Sequence, residues 1–189
     1  MSGRTVWIVL FRGVGGKTQL PTAPLRQKLS EAGFEKVATY INSGNAIVAS
    51  PLPRDEVQST IAGLCARAFG FEKDIHIVAR ADWSALITAN PFPEAVATPK
   101  LLHAAVLARK PDPANVEAFR AICTEGDRIA VIGKVAFLHT PHGFGTSKLA
   151  ARFDRGIGVA NTARNWNTVL KLAELAAVGE GPAAKLDGD

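Results

Sequence analysis

The chain has 189 residues, 47% of them hydrophobic and 21% charged, which excludes intrinsic disorder and places it among ordinary globular proteins. Its 22 basic and 17 acidic residues leave a formal net charge of +5. That excess is dispersed, with no dense Lys/Arg run, so it argues for attraction to polyanions without defining a site. The two cysteines, Cys65 and Cys123, share no metal-ligand spacing with each other or with a histidine, which excludes a disulfide scaffold and a zinc-finger framework. No apolar stretch approaches the length of a membrane span. Arg12 closes the first apolar run before it reaches the length of a signal-peptide core, so a cytoplasmic protein is expected.

Residues 6–11 form a β-branched and aromatic run ended by Arg12-Gly13 and read as a strand buried on both faces. A glycine-rich loop follows, Gly13-Val14-Gly15-Gly16-Lys17. A helix then starts near Thr22, the expected N-cap, with Pro24 in its first turn; Leu25, Leu29 and Ala32 share one face and Gly33 ends it. Residues 34–41 and 45–50 read as two strands joined by Asn42-Ser43-Gly44, a hairpin signal. The next helix carries the apolar stripe Val57, Ile61, Leu64, Cys65, Ala68 and Phe69 and stops at Gly70. Ile75, Ile77 and Ala79, alternating with His76 and Val78, predict a fourth strand. A short helix around Trp83 then runs into Asn90-Pro91-Phe92-Pro93, where two prolines stop regular structure and a domain boundary is expected.

Beyond the prolines the pattern restarts. Residues 101–108 read as a strand, Asp112-Pro113 as an N-cap and first helical position, and residues 128–132 and 134–140 as a hairpin turning at Gly133. A helix from Ser147 to Asp154 follows, and a last one is expected from about Thr162 to Ala177. The pattern predicts an α/β (α+β) protein of tandem βαββα(β) ferredoxin-like repeats, with antiparallel sheets and a C-terminal helix. Residues 1–93 would form the first subdomain with a linker helix. Residues 94–178 would form the second, and residues 179–189 a frayed tail. In such a unit the first strand-to-helix loop and the turn between the second and third strands lie at one sheet edge. Residues 13–17 and 42–45 are therefore expected to be neighbours.

That juxtaposition selects the first candidate site. Gly16-Lys17-Thr18 lacks the glycine that a phosphate-binding P-loop needs five residues before its Gly-Lys pair, where Phe11 stands instead. A looser anion cradle remains: Gly13, Gly15 and Gly16 let backbone approach a ligand, Arg12 and Lys17 supply charge, and Ser43, Gly44 and Asn45 would add hydrogen bonds. The plainer account is a tight connection and a hairpin turn that need positive φ. A second polar cluster is expected from Ser147, Lys148, Arg164, Asn165 and Asn167. Thr146 or Ser147 would cap a helix whose start also suits an anion. On a helix from Thr162, Arg164 and Asn167 would share one face and Trp166 would enter the core, with Asn165 and Asn167 gripping a ligand or tying the helix to a loop. His139 and His142 lack a third ligand, so no metal is expected, and no cofactor motif is present. The third strand has no aromatic residue, which disfavours base stacking on the sheet and leaves Trp7 to pack against a helix.

Arg12-Gly13 with Gly15-Gly16-Lys17, Tyr40-Ile41 with Ser43-Gly44-Asn45, Asn90-Pro91-Phe92-Pro93, Ser147-Lys148-Leu149 and the run from Thr162 to Thr168 together resemble the bacterial domain of unknown function 1697 family. The family loop usually looks like RGINVGGKN; the loop here is shorter and ends on Thr18 rather than asparagine. The resemblance implies the tandem α/β architecture and a cytosolic protein, and supplies no reaction. The functional expectation is a binding module for an anionic partner, either a phosphate-bearing small molecule or nucleic acid, with no membrane. One alternative is an enzyme acting on a phosphorylated metabolite, with Lys17 or Lys148 as electrostatic stabiliser, although no nucleophile–base pair is visible. The other is an interaction protein working through an open sheet edge.

Overall fold

The first sheet is organised around β1 (Thr5–Phe11), in which every residue from Trp7 to Phe11 is buried. β-branched and aromatic side chains suit a strand that is packed on both faces. A computed structural model describes residues 3–16, 18–41, 44–124 and 126–178, so Lys17, Asn42, Ser43 and the expected tail at 179–189 lie outside the described residues. β1 pairs antiparallel with β3 (Asn45–Ser50) and β4 (Ile75–Ala79), and β2 (Glu35–Thr39) adds beyond β3, giving the order β2-β3-β1-β4. Two helices, α1 (Thr22–Glu31) and α2 (Arg54–Phe69), supply Leu25, Leu29, Val57, Ile61 and Leu64 to the core that holds Trp7, Val9 and Phe11. Each such buried side chain contributes roughly 1.5–3 kcal/mol of transfer free energy. Cys65 sits in the same core, where burial pushes its thiol up to about 12 and leaves it a small inert hydrophobe.

The second half repeats this plan. After α3 (Arg80–Thr88) and a short 3-10 turn at Pro93–Ala97 come β5 (Leu102–Leu107), α4 (Pro113–Ile122), β6 (Arg128–Ile132), β7 (Val135–His139), α5 (Lys148–Gly156), β8 (Asn161–Asn165) and α6 (Trp166–Val178). The sheet order is β6-β7-β5-β8, antiparallel throughout, which is the first sheet's order again. Its core gathers Ala105, Leu107, Val116, Phe119, Leu138, Leu149 and Phe153. The chain divides into two compact units, one of residues up to Trp83 with those from Lys171 onward, the other of residues 84–170. Among the described residues no helix is long and apolar enough to cross a membrane.

Two boundaries differ from the sequence reading. Residues 162–165, expected to be helical, belong to β8, because the second sheet needs a fourth strand beside β5 and pairs Leu107 with Asn161, Ala105 with Ala163 and His103 with Asn165. The helix begins only at Trp166, where Asn165 acts as its cap: its Oδ1 accepts from the Thr168 amide at 3.0 Å. At the other end of the chain, Thr22 lies inside α1, and the cap position falls to Pro21, extended at φ −61° and ψ 128°, with no side-chain hydrogen bond.

Candidate functional site

The end of β1, the loop after it and the β2–β3 turn meet as the topology requires. The Phe11 amide donates to the Gly44 carbonyl at 2.9 Å. Gly44 has φ 78°, and a Cβ placed on it would stand 2.5 Å from Val14 Cγ2 and 2.8 Å from Phe11 Cβ. Glycine is therefore required here twice, by backbone conformation and by the press of the loop against the turn. Gly15 and Thr18 exchange backbone hydrogen bonds at 2.6 and 3.0 Å, closing a tight turn. Gly13, Gly15 and Gly16 are exposed. A Cβ at Gly15 or Gly16 would meet nothing within 4 Å, so open space lies beside the turn. Among the described residues nothing accepts from the amides of Gly13, Val14 or Gly16. A recess of about 260 Å³ lined by Gly15, Gln19, Leu20 and Pro21 joins the loop to the start of α1.

The charges around this loop come from two segments. Arg12 pairs with Asp74 at 3.4 Å, and its backbone amide donates to the Asp74 carbonyl at 3.0 Å. Lys73 folds over Gly13 and donates to its carbonyl at 3.0 Å. Neither Lys73 nor Asp74 was singled out from the sequence, yet topology carried the signal. β4 runs antiparallel beside β1, so the residues before β4 must lie beside the residues after β1. Phe71, packed edge-on against Phe11 with centroids 5.7 Å apart, anchors that segment. Asn45 is turned the other way: it is buried, and its amide donates to the Tyr40 carbonyl at 3.2 Å, closing the hairpin. Lys17 and Ser43 lie outside the described residues.

The residues expected to form a second cluster have individual tasks. Ser147 caps α5 by accepting from the Ala150 amide at 3.0 Å and donates to Asp127 Oδ2 at 2.6 Å. Lys148 and Asn167 are exposed. Arg164 and Asn165 are consecutive in β8 and so point to opposite faces of the sheet, which undoes the helical grouping of Arg164 with Asn167. Arg164 donates to Thr162 Oγ1 at 2.7 Å and to the Ala163 carbonyl at 2.8 Å, and burial lowers its guanidinium to about 10. His139 has a partner too. Its Nδ1 lies 3.0 Å from Arg128, which also pairs with Glu94 and stacks on Phe92 at 4.5 Å from the ring centroid. Burial first, and then the Arg128 charge, lower the His139 pKa. Among the described residues no three His, Cys, Asp or Glu side chains are grouped to hold a metal ion.

The duplicated topology defines the chain first as a tandem α/β protein of two ferredoxin-like halves. More narrowly, it belongs to the family described as "Protein of unknown function (DUF1697)", whose model matches residues 4–137. Among solved structures it is similar to a conserved bacterial protein, SP0830, from Streptococcus pneumoniae, with a TM-score of 0.73 and 20% sequence identity over 93% of this chain and 99% of that one. At that identity the likeness speaks for the fold alone. No curated protein matches the sequence significantly.

Proposed function

We propose that the protein is a binding module for an anionic ligand, a phosphate-bearing small molecule, held where β1 hands over to α1. The observation that carries this reading is a helix start without a side-chain cap beside an open glycine turn. Pro21 offers α1 no acceptor, so the first-turn amides of Thr22 and Ala23 meet no capping side chain. The adjoining recess of about 260 Å³ is the size of a small anionic group. The positive end of a helix and outward amides favour such a group, and Arg12 and Lys73 lie at the β1 end of the same glycine loop. The Arg12–Asp74 pair is an exposed one, worth at most about 1 kcal/mol.

Equilibrium dialysis or calorimetry with inorganic phosphate, a sugar phosphate and a single-stranded oligonucleotide tests this directly. A small phosphate should bind and raise the melting temperature, and Lys73→Ala and Arg12→Ala should each weaken it several-fold while the fold survives. Binding confined to the oligonucleotide, with a steep salt slope, would favour a nucleic-acid backbone instead. Affinity for phosphate that ignores both substitutions would remove this site from consideration.

A further inference from the structure

We propose that the outer face of α5 is a docking surface for the phosphate backbone of double-stranded nucleic acid, an inference that stands apart from the anion reading of the glycine loop. The positive excess is scattered along the sequence but shared unequally by the two units. Residues 84–170 hold ten Lys or Arg against six Asp or Glu, which is four of the chain's five net positive charges. Net charge draws a polyanion without saying where it lands.

α5 collects three of these cations into a line. At 3.6 residues per turn, Lys148, Arg152 and Arg155 fall within an arc of about 60° and span about 10 Å along the axis. All three are exposed. Arg109 brings a fourth cation to the C-terminal end of the helix, where it donates to the Gly158 carbonyl at 3.2 Å. The acidic residues keep clear of this line. Asp154, the helix's one carboxylate, falls about 130° away and accepts from Asn161 Nδ2 at 3.3 Å. Glu117 of α4 pairs with Arg120, and Asp127 accepts from Ser147 at 2.6 Å. Among the described residues Lys148, Arg152 and Arg155 form no ion pair. Like charges at these spacings repel one another, and a bound polyanion removes that repulsion.

The composition of the face selects the partner. Leu149 and Phe153, the large apolar residues of α5, are buried in the core, so nothing is left to insert into a bilayer. Phe153 is also the helix's one aromatic residue, so none is exposed to stack on an unpaired base, which disfavours a single strand. What the face offers is a straight row of cations, two of them arginines whose planar forks suit phosphate oxygens. A duplex presents the matching row, a phosphate about every 3.4 Å of axis on each strand. Contacts of this kind go to the backbone and carry no sequence information.

Fluorescence anisotropy of a labelled duplex titrated with the full chain tests the proposal. Binding should be roughly micromolar at about 50 mM salt and fall roughly 40–150-fold by about 200 mM, the dependence expected for three or four neutralised phosphates. Arg152→Glu and Arg155→Glu should each weaken it about tenfold or more, and Arg152→Ala should reduce the slope of log affinity against log salt by about one. Arg67→Glu, an equal charge reversal at an exposed position of α2, should leave duplex affinity nearly unchanged. So should Lys73→Ala at the glycine loop, so that the two readings fail separately; equal melting temperatures show that the variants fold. Absence of duplex binding at low salt overturns the proposal, as does a loss from Arg67→Glu or Lys73→Ala as large as that from Arg152→Glu. So do anionic vesicles that bind the chain where the duplex does not, since the partner would then be a lipid surface.

Discussion

The two halves of the molecule share one topology and finish the same connection differently. Between β1 and α1 the chain spends residues 12–21, rich in glycine, and enters the helix at Pro21 with no side-chain cap. Between β5 and α4 it spends only residues 108–112, and Asp112 accepts from the Ala114 amide at 2.8 Å. The second connection is reversed: residues 51–53 before α2 are brief, whereas residues 140–147 before α5 are long and end on the Ser147 cap. Each half therefore has one extended loop, but only the first half's extended loop leaves the helix amides beyond it without a side-chain acceptor. A carboxylate built into the chain at Asp112 holds the place that an external anion would take at α1. If the proposed site binds an anion, the cap chemistry at Pro21 and Asp112, rather than the shared fold, sets these two connections apart.

Paired substitutions in the two hairpin turns test whether the first loop is as tightly seated as this comparison requires. Gly44→Ala forces Cβ into Val14 and Phe11 at a positive φ and should destabilise by about 2–4 kcal/mol. Gly133→Ala, at φ 60° with open space around it, should cost only about 1–2 kcal/mol. Urea titration measures both. Equal losses would mean that the turn does not press on the loop.

A second contrast lies inside the sheets. Trp7 pairs with Ala79 at the end of β4 and His103 with Asn165 at the end of β8, so the two rings occupy equivalent positions. Each buries a ring nitrogen without a hydrogen-bond partner among the described residues. The indole cannot titrate; the imidazole can. His103 is stacked on Phe144 at 3.8 Å between centroids, and burial lowers its pKa from 6.5 to about 4. Between those values the unfolded chain binds the proton and the folded chain does not, so stability rises with pH across that window. His103 should therefore be stabilising in full above about pH 6.5 and lose up to about 3 kcal/mol as pH falls toward 4. His103→Phe should flatten that part of the profile, whereas Trp7→Phe should leave its slope unchanged.

Strands and helices with a single clear period, such as β1, α2 and the Asp112-Pro113 start of α4, were readable because one residue pattern admits one structure. The Thr-Ala-Arg-Asn segment was not. It mixes polar and small residues with no run of β-branched ones, and its strand state comes from pairing with β5, a long-range contact that local propensity does not encode. The meeting of the glycine loop with the β2–β3 turn followed from topology, whereas the direction of Asn45 did not, since an asparagine in a turn serves an outer ligand or the hairpin's own carbonyl equally well. Lys73 and Asp74 escaped for a related reason: an exposed charge pair acquires meaning only once β4 is known to lie beside β1.

The cap positions permit the most selective experiment, although its effect on stability is the smallest. Pro21→Asp would give α1 what Asp112 gives α4, a carboxylate able to accept from the second amide of the helix, Ala23 in place of Ala114. The added cap and the lost rigidity of proline oppose each other, so the melting temperature should move little, within about 0.5 kcal/mol of free energy. Phosphate affinity, in contrast, should fall at least tenfold, because the new carboxylate occupies the amides and repels the ligand. Asp112→Ala should do the opposite of a binding variant, losing about 1 kcal/mol of stability and leaving phosphate affinity where it was. If Pro21→Asp bound phosphate as well as the parent chain, the difference between the two connections would be one of loop length alone, without consequence for ligands.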